Sequence, residues 1–110
     1  MTKAVQLARA AERDLRRMGP GPERRRILRA LADTLEAEPT PVNADIKPLA
    51  GSAPWLRLRV GDWRVIYRPL TTEERLGTTL PCGDDGADEV YLVARIVARG
   101  ELERAVDHLP

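Results

Sequence analysis

Trp55-Leu56-Arg57-Leu58-Arg59-Val60-Gly61-Asp62-Trp63-Arg64-Val65-Ile66-Tyr67-Arg68 alternates apolar and mostly basic residues through two runs that meet at Gly61-Asp62. Alternation of period two is the pattern of a half-buried strand, and a Gly-Asp pair between two such runs is that of a two-residue hairpin turn. Folding about the turn sets Val60 against Trp63, Arg59 against Arg64, Leu58 against Val65, Arg57 against Ile66 and Trp55 against Arg68. One face then carries Leu56, Leu58, Val60, Trp63, Val65 and Tyr67, a core face. The other carries Arg57, Arg59, Arg64 and Arg68, with Trp55 and Ile66 among them. Like charges directly opposed destabilise a sheet. Arg59 against Arg64 therefore implies an anion at this face; a polyanion with stackable bases suits the neighbouring Trp55, for which packing under the loop is the other reading.

Upstream, Lys3 to Ala8 reads as a short strand with Val5 and Leu7 pointing the same way. A helix from Arg9 to Met18 follows, with Ala11, Leu15 and Met18 at helical spacing. Gly19-Pro20-Gly21-Pro22 breaks it, and Pro22 suits the first position of a second helix, which runs to about Glu38. Ile27, Leu28, Leu31 and Leu35 make the apolar stripe of that helix, and Arg24, Arg25, Arg26 and Arg29 lie off it. Asp45 to Ser52 reads as an irregular approach to the hairpin. Downstream, a long polar connection from Thr71 to Asp88 leads to a strand from Glu89 to Ala98. Its parity sets Val90, Leu92, Ala94 and Ile96 against Tyr91, Val93, Arg95, Val97 and Arg99. A short helical segment, Glu101 to His108, closes the chain. The expected fold is α+β: two N-terminal antiparallel helices on a small twisted, mostly antiparallel sheet, with a short C-terminal helix.

The length of 110 residues fits one domain, 1–110. No apolar stretch is long enough to span a bilayer, and no signal-peptide pattern begins the chain, so a cytoplasmic protein is expected. The single Cys82 cannot form an internal disulfide, in keeping with a reducing compartment. It has no metal-ligand companions and no cationic neighbour to activate it. The formal net charge of +1 conceals an asymmetry: residues 1–70 hold 14 Lys/Arg against 8 Asp/Glu, and residues 71–110 hold 4 against 9. No phosphate-cradling glycine loop, nucleophile triad or metal-ligand cluster is present.

The element order, together with Leu49 and Gly51, the string Arg57-Leu58-Arg59-Val60-Gly61-Asp62-Trp63-Arg64-Val65-Ile66-Tyr67, and then Ile96 and Arg99, resembles the RelE/ParE toxin superfamily of type II toxin–antitoxin systems, in its RelE-like branch. The resemblance implies a RelE-like toxin domain and a cognate antitoxin as partner. It further implies a ribosome-dependent mRNA endonuclease that inhibits translation without cofactor or metal, using basic residues on the open face of the sheet. Carried over by position, Arg57 and Arg59 match the two alternating basic residues before the turn. Arg64 matches the arginine after the turn, and Arg99 the one after the last core strand. Where many relatives have His before that arginine this chain has Ala98, and where they have a later Tyr it has Glu103 or Ala105.

Cleavage through a 2′-hydroxyl needs a base, an acid and positive charge beside the developing phosphorane. The four arginines supply charge with a fork suited to phosphate oxygens, but arginine stays protonated and moves protons poorly. Lys47 is a candidate base if buried among the arginines. Glu101 or Glu103 would serve if the last helix folds back over the face, and His108 lies near the chain end. The missing His and Tyr leave two alternatives: a ParE-like, non-catalytic inhibitor of DNA gyrase, or an inactive member that only binds antitoxin. An exposed solvated face is the plain reading of Arg24-Arg25-Arg26, with contacts to ribosomal RNA as the sharper one. The acidic stretch Asp84 to Glu89 is placed to shade the arginine face from within the chain.

Overall fold

Gly61 has φ +60 and no non-glycine among the described residues has a positive φ, the pattern of a hairpin turn whose first central residue is left-handed. The turn joins β3 (Leu56–Val60) to β4 (Trp63–Pro69). Val60 pairs with Trp63, Arg59 with Arg64, Leu58 with Val65, Arg57 with Ile66 and Leu56 with Tyr67, so the alternation gives the register correctly. Trp55 precedes β3 and makes no rung with Arg68. Instead, the Arg68 guanidinium carbon lies 5.2 Å from the centroid of the Trp55 ring. The computed structural model describes residues 3–37, 41, 44–49, 51–71, 89–107 and 109. The expected long connection, with Cys82 and most of the acidic stretch, falls outside these residues, as does His108.

The hairpin is the middle of a five-stranded mixed sheet of order β1-β5-β4-β3-β2. β1 (Lys3–Leu7) runs parallel to β5 (Glu89–Ala98), and β5 runs antiparallel to β4. The strand β2 (Ile46–Pro48) corrects the expected irregular approach: three residues pair with Leu56 to Leu58 of β3. So short an edge strand has no alternation to read, and Pro48 is tolerated there because an edge needs no outward N–H.

Helix α1 (Arg9–Met18) has its predicted bounds. Helix α2 (Pro22–Ala30) is shorter than expected and continues as a π-helical turn, Leu31–Leu35, in which the Glu36 N–H donates to Leu31 O at 3.1 Å. Ile27, Leu31 and Leu35 are buried, but Leu28, expected on the same stripe, is 41% exposed. The buried row follows the i, i+4 ridge, and Leu28 lies one step around the helix from it. Leu15 and Ala11 of α1 join Ile27, Leu31 and Leu35 against Leu58, Val60, Val65, Tyr67, Val93 and Ile96, the main core.

Uniform alternation along β5 does not hold. Ile66 pairs with Arg95 and Tyr67 with Val93, leaving Ala94 as the extra residue of a β-bulge. The bulge reverses the parity beyond it: Ile96 joins Val93 in the main core, whereas Val97 joins Ala94 on the other face. Beyond Leu7 β1 ends, and the edge of β5 at Ile96 has no strand beside it. Asp14 of α1 fills that place. Its carboxylate accepts the Ile96 N–H at 2.8 Å and, from Arg95, Nε at 2.9 Å and Nη2 at 3.1 Å. Asp14 is 8% exposed, the one buried charged side chain among the described residues. Its three donors offset the cost of burying a carboxylate.

The other face carries a smaller core of Trp55, Ile66, Ala94, Val97 and Ala105, flanked by Leu49, Leu92, Leu102, Val106 and Leu109. Helix α3 (Leu102–Val106), entered through a 3-10 turn at Arg99–Glu101, supplies its lid. No helix among the described residues is long and apolar enough to cross a membrane.

Two predictions test this packing. Asp14→Ala leaves the Ile96 N–H and the Arg95 guanidinium without their shared acceptor, and should cost about 2–3 kcal/mol in denaturant unfolding. Arg95→Met strands the more deeply buried partner, since Asp14 keeps only the Ile96 N–H of its three donors, and should cost at least as much. Burial raises the Tyr67 hydroxyl from its usual pKa of 10.0 to about 12. Above pH 10 the unfolded chain loses a proton that the folded chain keeps, so stability should hold steady below pH 10 and fall as pH rises from there toward 12. Tyr67→Phe should flatten part of that fall in unfolding curves taken across the range.

Candidate nucleic-acid interface

The ladder sets the predicted arginines on one side of the sheet. Arg57 and Arg59 come from β3 and Arg64 from β4, directly opposite Arg59. Lys47 of β2 pairs with Arg57. The Arg59 N–H donates to Asp45 O at 3.0 Å, which extends the β2 pairing by one rung and lays Asp45 beside Arg59. Arg99 is drawn to the hairpin tip by its backbone N–H, which donates to Asp62 O at 2.9 Å.

These side chains act on one another. Arg64 Nη1 donates to Gly61 O and Trp63 O, both at 2.9 Å, so its guanidinium is folded back on the turn. Its pKa is lowered, first by burial and then by the charges of Arg59, Arg57 and Arg99; Asp45 opposes the shift. Asp45 is the one carboxylate among the described residues that acts on Arg64. It meets Arg57 Nη2 at 3.2 Å and Arg59 Nη1 at 3.8 Å. Among the described residues one carboxylate thus serves a cluster of four guanidinium groups, with the Lys47 ammonium at its margin. Such a surface holds unspent positive potential and attracts phosphate.

Three expectations change. Lys47 is exposed on the edge strand, not buried among the arginines. Trp55 is 6% exposed, sealed in the smaller core beneath α3, and offers no open ring to a base. Its apolar partners Leu102, Ala105 and Val106 lie on a helix whose return over the sheet could not be read from the hairpin alone. Glu101 acts on Arg95, whose pKa is raised first by its hydrogen bond to Asp14. Glu103 is exposed, and neither residue is among the groups acting on Arg64. The last helix does fold back, but over the apolar half of the face.

Asp45 and Asp14 are the residues sequence reasoning missed. A signal for Asp45 was present: an acidic residue two positions before Lys47 shares its face of an extended strand. Nothing local marked Asp14, which is 82 positions from the amide it binds. The phenols are elsewhere. Tyr67 and Tyr91 meet edge to face in the main core, centroids 5.7 Å apart, and the Tyr91 hydroxyl donates to Glu89 Oε2 at 2.7 Å. Among the described residues no three His, Cys, Asp or Glu side chains gather where they could hold a metal ion.

A helical hairpin on a five-stranded mixed sheet with a cationic open face defines a RelE/ParE-type toxin domain. The chain belongs to the family of the ParE toxin of the type II toxin–antitoxin system, parDE, whose family model matches residues 5–80. Among solved structures it is similar to a chain of the RelB–RelE antitoxin–toxin complex from Methanococcus jannaschii. The TM-score is 0.54 at 21% identity, over 94% of this chain and 98% of that one, a likeness of fold. No curated protein matches the sequence.

Asp45→Asn removes the one counter-charge that the described residues bring to the cluster. The variant should leave a heparin column at higher salt than the parent. Elution at the same or lower salt would mean that Asp45 contributes by orienting Arg57 and Arg59 instead.

Proposed function

We propose that this toxin inhibits translation as a metal-independent endonuclease that cuts mRNA on the ribosome, and that a cognate antitoxin restrains it in the cytoplasm. The observation that carries the reading is the convergence of Arg57, Arg59, Arg64 and Arg99 on one face with Asp45 as the only carboxylate acting on Arg64 among the described residues. In such a cut the 2′-oxygen forms a bond to phosphorus while the bond from phosphorus to the 5′-oxygen breaks. The 2′-hydroxyl gives up a proton and the departing 5′-oxygen receives one. Negative charge grows on the phosphoryl oxygens between these events, and fixed guanidinium groups stabilise it without rearranging.

Arg64, tied to the turn carbonyls, is the fixed part of the cradle, and the more exposed Arg59 lies opposite it across the ladder. Arg99 closes it at the tip, and Arg57, held by Asp45, closes it toward β2. Lys47, exposed on β2 beside Arg57, adds positive charge at the margin of the cradle rather than the proton transfer. The antitoxin reading draws on the family and on the complex in which the similar fold was solved.

A second reading has a specific observation behind it. Neither Tyr67 nor Tyr91 belongs to the cationic face, and Ala98 stands where a relative's histidine would. A face that binds without chemistry suits a ParE-like inhibitor of DNA gyrase, the alternative that the family resemblance implies.

Induced expression without antitoxin separates the two. Cleaved mRNA in translating cells is the expected result, and filamentation with DNA damage and intact mRNA would favour gyrase. Changing Arg59 and Arg64 together to Ala should abolish growth arrest while the far-UV spectrum and unfolding transition persist. Full toxicity in that double variant would remove the arginine face from either mechanism.

A further inference from the structure

The arginines of α2 are not absorbed by the site above. Arg25, Arg26 and Arg29 line a surface depression of about 540 Å³ with Pro22 and the exposed Leu28. All three are exposed, and among the described residues none of them meets a carboxylate within ion-pair distance. Glu23, the acidic residue of the first turn, is engaged elsewhere: its Oε2 accepts the Trp63 Nε1–H at 2.8 Å, which ties the start of α2 to the hairpin.

Arg26 is the link. Its guanidinium lies over Gly61 so closely that a methyl group on that glycine would come within 2.7 Å of Nη1 and Nη2. On the same residue, Gly61 O accepts the Arg64 guanidinium at 2.9 Å. Two guanidinium groups, one from α2 and one from the sheet, therefore flank a single glycine at the hairpin tip. The charge does not stop at the edge of the sheet but passes around the tip to Arg26, and on to Arg25 and Arg29.

We infer that the α2 arginines extend the arginine face into a continuous track, and that the single-stranded RNA held on the sheet continues over the hairpin tip into the α2 depression. The inference rests on the nucleic-acid reading of the sheet face and adds a second, phosphate-binding segment to it. Guanidinium forks bind successive phosphates irrespective of base, and Leu28 gives an apolar contact between them. Gly61 suits the crossing: its φ of +60 is one that L side chains rarely adopt, and a Cβ would push aside the flexible end of Arg26.

Oligouridylates of two lengths test this, about 4 and about 12 nucleotides, within the range that a single-strand groove covers. Fluorescence anisotropy of each would be followed against salt for the whole protein and for Arg25→Ala/Arg29→Ala, two exposed positions outside the sheet. The double variant should bind the short RNA as the parent does. On the long RNA it should bind roughly tenfold more weakly at low salt, with a salt slope shallower by about 1.4, as expected for two lost phosphate contacts on a single strand. Equal loss at both lengths, or no loss at either, overturns the track while leaving the sheet site in place. A variant that keeps its RNA affinity but loses binding of an acidic peptide overturns it too. If Arg59→Ala/Arg64→Ala binds both RNAs as well as the parent, the nucleic-acid reading of the sheet fails and the track falls with it.

Discussion

A slip of one residue between β3 and β4 would turn Leu56, Leu58 and Val60 to the outside and bring Arg57 and Arg59 beneath the helices. Every other feature of the protein depends on that slip not occurring. The register is held from both ends. The left-handed Gly61 fixes the turn, and burial of Leu58, Val65 and Tyr67 under α1 and α2 fixes the faces. The opposition of Arg59 to Arg64 is the cost of this arrangement, a few tenths to about 1 kcal/mol for a like-charged pair. Asp45, beside Arg59 on β2, offsets part of it. The remaining repulsion is the property that makes the face attractive to phosphate.

The open side of the sheet is divided rather than uniformly polar. Trp55, Ile66, Ala94 and Val97 form an apolar half that α3 covers, and the guanidinium cluster forms the other half. The division follows from the bulge at Ala94. Without it Val97 would point into the main core, and Ile96 would face the arginines across from Arg64. One inserted residue in β5 thus gives α3 an apolar seat and leaves the hairpin tip uncovered. The clamp from Asp14 to Arg95 and Ile96 holds β5 immediately beyond that insertion, where β1 no longer reaches.

How far the sequence foretold this depended on the range of the interactions. The hairpin was legible because turn chemistry and alternation are local and agreed with each other, and the matched elements α1 and β1 were bounded by their own residues. The rung at Trp55 was not, because extrapolating a ladder assumes that the strand continues. Nor were β2, too short to show a period, or the parity of β5, which a single bulge reverses without a Gly or Pro to announce it. Parity placed Arg57, Arg59 and Arg64 on one face, as the ladder has them, whereas Arg99 came from the family resemblance and not from alternation. Their counter-charge Asp45, the burial of Trp55 and the role of Asp14 all arise from contacts between distant segments, and alternation carries no information about those.

The order of the strands has a consequence for biosynthesis. β5 comes last along the chain but lies second in the sheet, between β1 and β4. β1, made first, has β5 as its one strand partner among the described residues, so it must wait for nearly the whole domain to be translated before it can make that pairing. A nascent chain that has completed the hairpin already displays Arg57, Arg59 and Arg64, yet lacks the strand that carries Arg99 to the tip and anchors the first helix. A cell making this toxin is therefore exposed to a finished cationic cradle only once elongation has passed Arg99, which leaves most of the synthesis time free of the assembled surface.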